Sequence, residues 1–464
     1  MASSFQDYAF RGGYPVGDTI QRAYDDADLV RAIQVYKQFY AIVSGAAIFA
    51  GNERIGILPN LAFGTMDTLP RHIGYTLNSD TPYAPVLLDL SNGPLVIELP
   101  AGPLISVAMD VGQGWLADLG VPGPDAGQGG KHLVLPPGYD GPIPDGYYPI
   151  QSTSYRVLCG VRSLPVGGDL AAADERLKTI KVYPLDPKTP WEEPAWIDLT
   201  PDPQDTTPLA AELSLDYWKL LHHVVDSEPP IDSYRVLYGE LAALGIEKGK
   251  SFAPDARLTA ILERAARIAN DQMRVLSFAD RRPDREVWPG SQWQWASLRF
   301  EDGAFNTENY VDNIAREKWF FQAIGASPAM FRRSVGAGSL YWLGLRDSDG
   351  SYLDGDKTYR LAVPANVPAK LFWSVTVYDA ETRSQIDTAQ GKAALRSLFE
   401  LNDLDPAQPV ELFFGPEQPK GAEGRWIETI PGKGWFVYFR IYGPEGPAFN
   451  GSWKPGEFER LDEA

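Results

Sequence analysis

An α+β, multi-domain fold follows from three observations on this 464-residue chain. Apolar residues recur at every second position in two well-separated blocks, the spacing of strands. Between and before those blocks they recur at spacings of three and four, the spacing of helices. Residues 120–149 are so rich in glycine and proline that helix is nearly excluded there. Two β-sandwich or jelly-roll-like domains with a helical layer between them are therefore expected. The length exceeds one ordinary domain, and an apolar content of 44% with 12% aromatics supplies large cores. The expected division is an N-terminal helical segment over 1–70 and a first β domain over 71–181. A proline-rich connector with a helical region follows over 182–340, then a second β domain over 341–464.

Helix comes first. Residues 18–56 open on Asp18-Thr19 and Asp25-Asp26 as caps, then carry Leu29, Ile33, Tyr36, Tyr40 and Val43 on one amphipathic stripe. Tyr36 and Tyr40 lie on that stripe and read as core. Residues 73–181 turn to short strands. Val86, Leu88 and Leu90 lie two apart, as do Leu95, Ile97 and Leu99, around a turn at Gly93-Pro94. Tyr155, Val157, Cys159 and Val161 repeat the pattern, with Cys159 as a small buried residue. The connector 182–208 reads as a segment pinned across a surface by its aromatics.

Helical spacing returns at 208–226, 231–243, 254–280 and 307–325. In the third of these, Leu258, Ile261, Leu262, Ala265, Ile268 and Ala269 form one stripe. From Tyr341 onward strands are expected at 359–363, 369–379, 409–414 and 434–442. Over 371–378, Trp373, Val375 and Val377 alternate with Phe372, Ser374, Thr376 and Tyr378. The loop 346–356 holds two Asp-Gly steps, Asp349-Gly350 and Asp354-Gly355. These read as tight turns with both glycines at positive φ, because an EF-hand register would place Leu345 at its first ligand position.

Charge excludes several function classes. Against 42 basic residues stand 61 acidic ones, a net charge of −19. Such a surface repels phosphate backbones and anionic membranes, so neither nucleic acid nor membrane is an expected partner. A small-molecule ligand is expected instead, neutral or cationic in view of the protein's charge. No apolar run approaches a membrane span, and the start MASSFQDYAFRGG lacks the hydrophobic core of a secretory signal. A cytoplasmic location is expected, or a periplasmic or secreted one if a signal peptide has been removed. A single cysteine excludes an internal disulfide.

Metal and nucleotide chemistry find no motif. His72, His132, His222 and His223 show neither H-x-H nor H-x-x-x-H spacing, and neighbours on a helix point about 100° apart. No metal is expected. There is no G-x-S-x-G elbow, and Gly336-Ala337-Gly338 lacks the third glycine and following helix of a dinucleotide loop. No nucleotide or redox cofactor is expected.

Carboxylates and aromatics remain. The polar cluster Asn78, Ser79, Asp80, Thr81 and Tyr83 stands directly before two apolar strands. Asp80 and Tyr83, with Asp110 at the end of SVAMD, are the candidate catalytic residues for proton transfer. Asp80 reads equally as the anchor of an Asx-type turn, bonded to backbone N–H groups. Asn78, Trp115, Trp373, Tyr378, Trp426 and Tyr442 are the candidate ligand contacts, with Trp435 and Trp453 beside them, since aromatics offer area with a polar edge. A tryptophan in a β-sandwich is more often plain core. Asp89, Asp379 and Arg440 alternate with apolar residues and read as pairs across the sheets.

NSDTPY, LLDLS, IELP and VAMD together resemble the first half of a paired bacterial family, domain of unknown function 1254 followed by domain of unknown function 1214. FWSVTVYD (372–379) and RIYGPEGPAFNGSWKP (440–455) resemble the second half. The likeness runs from Gly12 to the end of the chain. Asn78, Asp80, Thr81 and Tyr83 match the family's pattern, while Leu77 and Pro82 replace its proline and leucine. RWIET (425–429) and VGQGWLADLG (111–120) also depart from it, which implies a different ligand if those loops line the site.

The leading expectation is a small-molecule enzyme, a hydrolase or lyase, working by carboxylate and tyrosine acid-base chemistry. The alternative is a sugar- or aromatic-ligand-binding protein without catalysis. A scaffold whose acidic surface meets a basic partner is a third reading, and a homo-oligomer is compatible with all three.

Overall fold

The computed structural model describes residues 8–461 except 68, 300–302, 332 and 337. A short hairpin, β1 (Phe10–Arg11) and β2 (Tyr14–Pro15), precedes the long helix α1 (Thr19–Glu53). Asp18 occupies the N-cap position of α1 but makes no side-chain cap bond. Later helices are capped in the usual way: Ser214 accepts from Asp216 N, Asp255 from Leu258 N and Asp312 from Ala315 N.

After β3 (Ala62–Thr65) comes the first sandwich. One sheet runs β4 (Tyr83–Asp89), β10 (Arg156–Ser163), β6 (Leu104–Asp110) and β7 (Trp115–Gly120). The other runs β11 (Lys181–Pro184), β5 (Leu95–Leu99), β8 (Gly130–Leu135) and β9 (Tyr148–Gln151), and α2 (Leu170–Leu177) links β10 to β11. The period-two residues meet between the sheets, with Val86, Leu88, Ile97, Leu99, Val157, Cys159 and Val161 in one buried cluster. Burial there pushes the Cys159 thiol up to about 11. In the connector, β12 (Ala195–Asp198) pairs in parallel with β3, and Trp191 and Trp196 lie against the first sandwich's core.

The helices α3 (Leu215–Ser227), α4 (Arg235–Ala243), α5 (Ala256–Phe278) and α6 (Asn313–Gln322) pack with α1 around a second core. Leu262, Ala265 and Ala269 of the expected α5 stripe are fully buried in it, as are Tyr36 and Tyr40. No helix among the described residues is long and apolar enough to cross a membrane.

Apart from one strand contributed from before α6, the second sandwich follows the short α7 (Pro328–Phe331). Its first sheet runs β13 (Gln294–Trp295), β14 (Ser339–Gly344), β20 (Trp435–Pro444), β16 (Ala369–Asp379) and β17 (Ala394–Arg396). Its second runs β19 (Trp426–Glu428), β18 (Val410–Gly415), β15 (Thr358–Val363) and β21 (Phe458–Leu461), with α8 (Gly446–Asn450) ahead of β21. Trp342, Leu361, Val375, Val377, Leu412 and Phe439 fill the space between the sheets. The other phase of β16 faces the helices and the first half of the chain, where Tyr378 joins the helical core. The architecture is α+β and multi-domain, as the periodicities predict.

The loop 346–356 meets its expectation at one glycine and not at the other. Gly350 has a φ of +82°, and Asp347 Oδ1 accepts from Asp349 N and Ser351 N around it. Gly355 is not at positive φ. Its lack of a side chain answers to crowding instead, since a Cβ there would lie 2.0 Å from the Ile430 carbonyl oxygen.

Candidate active site

The polar cluster before β4 is buried almost completely, with Asn78 2%, Ser79 4%, Asp80 0% and Thr81 1% exposed. Such groups cannot rely on water, so each must find a protein partner. Asn78 is the local anchor. Its Oδ1 accepts from Asp80 N at 2.8 Å, Thr81 N at 3.0 Å and Thr81 Oγ1 at 3.2 Å. Asp80 is thereby released from turn duty and reaches across to the other sandwich. Its Oδ2 accepts from Ser374 Oγ and from Tyr442 OH, both at 2.9 Å, while Oδ1 is buried with no hydrogen-bond partner among the described residues. Leu77 O accepts from Tyr378 OH at 2.8 Å, and Arg396 donates to Ser79 O.

The partners share one face of the second sandwich because of register. Tyr341 of β14 stands opposite Arg440 of β20, which stands opposite Ser374 of β16; Ser339, Tyr442 and Phe372 form the adjoining row. Arg440 is 4% exposed, donates to Thr376 Oγ1 at 3.1 Å and to Thr76 O at 2.9 Å, and lies over the Tyr438 ring at 5.1 Å.

Between this face and the outer face of the first sandwich lies a cavity of about 150 Å³. Tyr83 and Pro85 of β4, Val107 and Met109 of β6, and Leu158, Gly160 and Arg162 of β10 wall one side; Tyr341, Tyr438 and Arg440 wall the other. An adjoining space of about 370 Å³ shares Val107, Gly160, Arg162, Met330 and Tyr341 with it and reaches Tyr442 and the exposed Leu371. The tyrosines here are hard to ionise. Burial raises the Tyr83 phenol, and burial followed by the charge of Asp80 raises that of Tyr442 well above its usual value. Both are therefore neutral hydrogen-bonding groups at physiological pH. Among the described residues no group of three or more His, Cys, Asp or Glu side chains converges as metal ligands would.

The structure brings Asn78, Asp80, Tyr83, Tyr378 and Tyr442 into this region. Asn78 and Tyr83 line the inner cavity, Tyr442 lines the outer space, and Asp80 and Tyr378 stand behind the walls. The remaining candidates lie elsewhere. Asp110 anchors the loop after β6, where Oδ1 accepts from Gly114 N at 2.7 Å and Oδ2 from Thr153 Oγ1. Trp115 is 42% exposed on β7, and Trp373 stacks on Phe439 at 5.4 Å against the second sandwich's core. Trp426 sits on the far sheet, donating to Gly415 O at 2.9 Å.

Arg162, Tyr341 and Gly160 escaped the sequence reading. The available signal was in β10, where Leu158, Gly160 and Arg162 occupy the phase opposite to Val157, Cys159 and Val161. An arginine sharing a face with an apolar residue and a glycine, on a strand inside its sheet and opposite the core phase, is the cue that was there to read.

Residues 62–184 match the family model described as a protein of unknown function, DUF1254, and residues 338–446 match that of DUF1214. Among solved structures, the VPA0106 protein from Vibrio parahaemolyticus aligns at a TM-score of 0.59 and 16% identity. The alignment covers 94% of this chain and all of that one, so the two share a fold. A protein from Burkholderia cenocepacia aligns at a TM-score of 0.39 and 11% identity over 96% of this chain and 97% of its own. A search of curated proteins found no match.

Proposed function

The chain belongs to the family that pairs DUF1254 with DUF1214, and from that premise we propose an enzyme that exchanges a proton with a small organic molecule held between the two sandwiches. The reading rests on one observation. Tyr442 forms part of the outer wall while its hydroxyl donates to the sealed carboxylate of Asp80 at 2.9 Å. A phenol in this position has oxygen lone pairs free to accept a proton from the substrate, or from a water attacking it, as its own proton moves to Asp80 Oδ2. The charge then leaves the sealed carboxylate and develops on the substrate, near the guanidinium groups of Arg440 and Arg162 that line the cavity. Such a relay serves a hydrolase or a lyase and requires neither nucleotide nor redox cofactor.

Turnover on a broad panel of esters, hydroxy acids and carbonyl compounds tests the proposal. Asp80→Asn and Tyr442→Phe are each expected to abolish turnover while keeping the wild-type melting temperature to within a few degrees. Full activity in either variant removes the relay. A second reading, a binding protein without catalysis, draws on the raised phenols and on the absence of Asp80 from the cavity wall. Saturable binding with no turnover on any panel member would favour it.

A further inference from the structure

We infer that the ligand of this cavity is a monoanionic carboxylate with a hydrocarbon body, and that Arg162 holds its headgroup. The inference rests on the reading above, that the cavity is where a small molecule is held. Its first support is a count of charge. Arg440 is matched by Asp80 nearby and by its bonds to Thr376 Oγ1 and Thr76 O. Asp118, on the outer wall, is engaged in an interaction of its own. Arg162 is different. Among the described residues its guanidinium has no hydrogen-bond or ion-pair partner, and its electrostatic neighbours are the phenols of Tyr341, Tyr83 and Tyr442 and the like charge of Arg440. A guanidinium carries five donors in a planar fork matched to a carboxylate, and this one is half-buried on the cavity wall, with its donors open to a ligand.

The second support is shape and lining. Arg162 lies where the two spaces join, since it lines both. Inward of it the wall is mostly apolar: Ile48, Met66, Leu77, Met109, Leu158 and Ile324. A headgroup at the junction would thus send its hydrocarbon part into a greasy compartment. Gly160 is the third support. It sits two residues before Arg162 on the same face of β10, and a Cβ built there meets nothing within 4 Å. Glycine weakens a strand interior, so its use at a position with free space points to a ligand passing over the backbone.

Three probes of one length decide the matter: octanoate, octan-1-ol and octylammonium, each titrated against the full-length protein by calorimetry. Octanoate is expected to bind tightest. Arg162→Gln should weaken octanoate by about ten- to a hundredfold, the range of a charge-assisted hydrogen bond, and leave octan-1-ol unchanged. Gly160→Leu should abolish binding of every probe, with a melting curve confirming that the variant is folded. Octan-1-ol or octylammonium binding as tightly as octanoate overturns the inference. So does an unaltered octanoate affinity in Arg162→Gln, or a wild type that binds no probe. Binding is read here without turnover. Octanoate held through Arg162 by a protein that turns over no panel member leaves this inference standing and removes the enzyme. Turnover of neutral substrates by a protein indifferent to Arg162→Gln does the reverse.

Discussion

Asn78 and Asp80 divide between them two roles that the sequence offers to either. Both are short polar side chains in a turn before a strand, and both types favour Asx turns. The structure gives the turn to Asn78, whose Oδ1 accepts two backbone N–H groups, and gives the cross-sandwich bonds to Asp80. Spacing cannot make this choice, because the deciding partners, Ser374 and Tyr442, lie far along the chain. Asn78→Ala is therefore expected to cost about 1–3 kcal/mol, as two buried N–H groups lose their acceptor. Asp80→Asn, which keeps an acceptor for Ser374 and Tyr442, should cost less. Urea denaturation compares the two, and a larger loss in Asp80→Asn would reverse the assignment. Trp373, a candidate ligand contact, was hard to place for a related reason: it alternates with its neighbours in β16, but the alternation alone does not say which face is the inside of a sandwich.

Elements were legible wherever one period ran undisturbed. The stripes of α1 and α5 and the strands β4, β5, β10, β16 and β20 lie where the spacing of Tyr36, Leu262, Val86, Ile97, Cys159, Val375 and their neighbours placed them. Two-residue strands such as β13 carry too little pattern to be read, and Gln294–Trp295 joins a sheet from within a region that reads as helical. Glycines mislead in another way, since one residue type answers two needs. Gly350 supplies a left-handed conformation, so Gly350→Ala should cost about 1–2 kcal/mol. Gly355 supplies clearance from Ile430 O, so Gly355→Ala forces the backbone apart and should cost more than Gly350→Ala. Thermal denaturation of both variants checks the order.

At the scale of the molecule, a buried network ties the parts together. Glu212 Oε2, in the connector before α3, accepts from Tyr40 OH of α1 at 2.8 Å and from Arg383 Nη2, just past β16, at 2.9 Å. Arg383 is wholly buried, its guanidinium 4.5 Å from the Tyr75 ring and 4.2 Å from that of Phe321. Glu212→Leu strands that cation and is expected to cost about 3–5 kcal/mol, whereas adding Arg383→Met should restore much of the loss. A double variant less stable than Glu212→Leu alone would contradict the pairing. The expectation of a neutral or cationic ligand was drawn from the net charge alone. A charge of −19 is a property of the whole sequence, its effect screened within about 8 Å at physiological salt, and it says little of a cavity lined by Arg162, which has no ion-pair partner among the described residues.

The bonds of Asp80 also set a timetable. Ser374 follows it by 294 residues and Tyr442 by 362. At about 5–20 residues per second of synthesis, Asp80 leaves the ribosome roughly 15–70 s before the groups that will hold it exist. The first sandwich can close its own core in that interval, since its strands all lie between Tyr83 and Pro184. The cluster at 78–81 must wait in water. The pocket is thus completed late, when Tyr442 has been made, and a chain stalled before residue 374 would carry the strands of the first sandwich and no site at all.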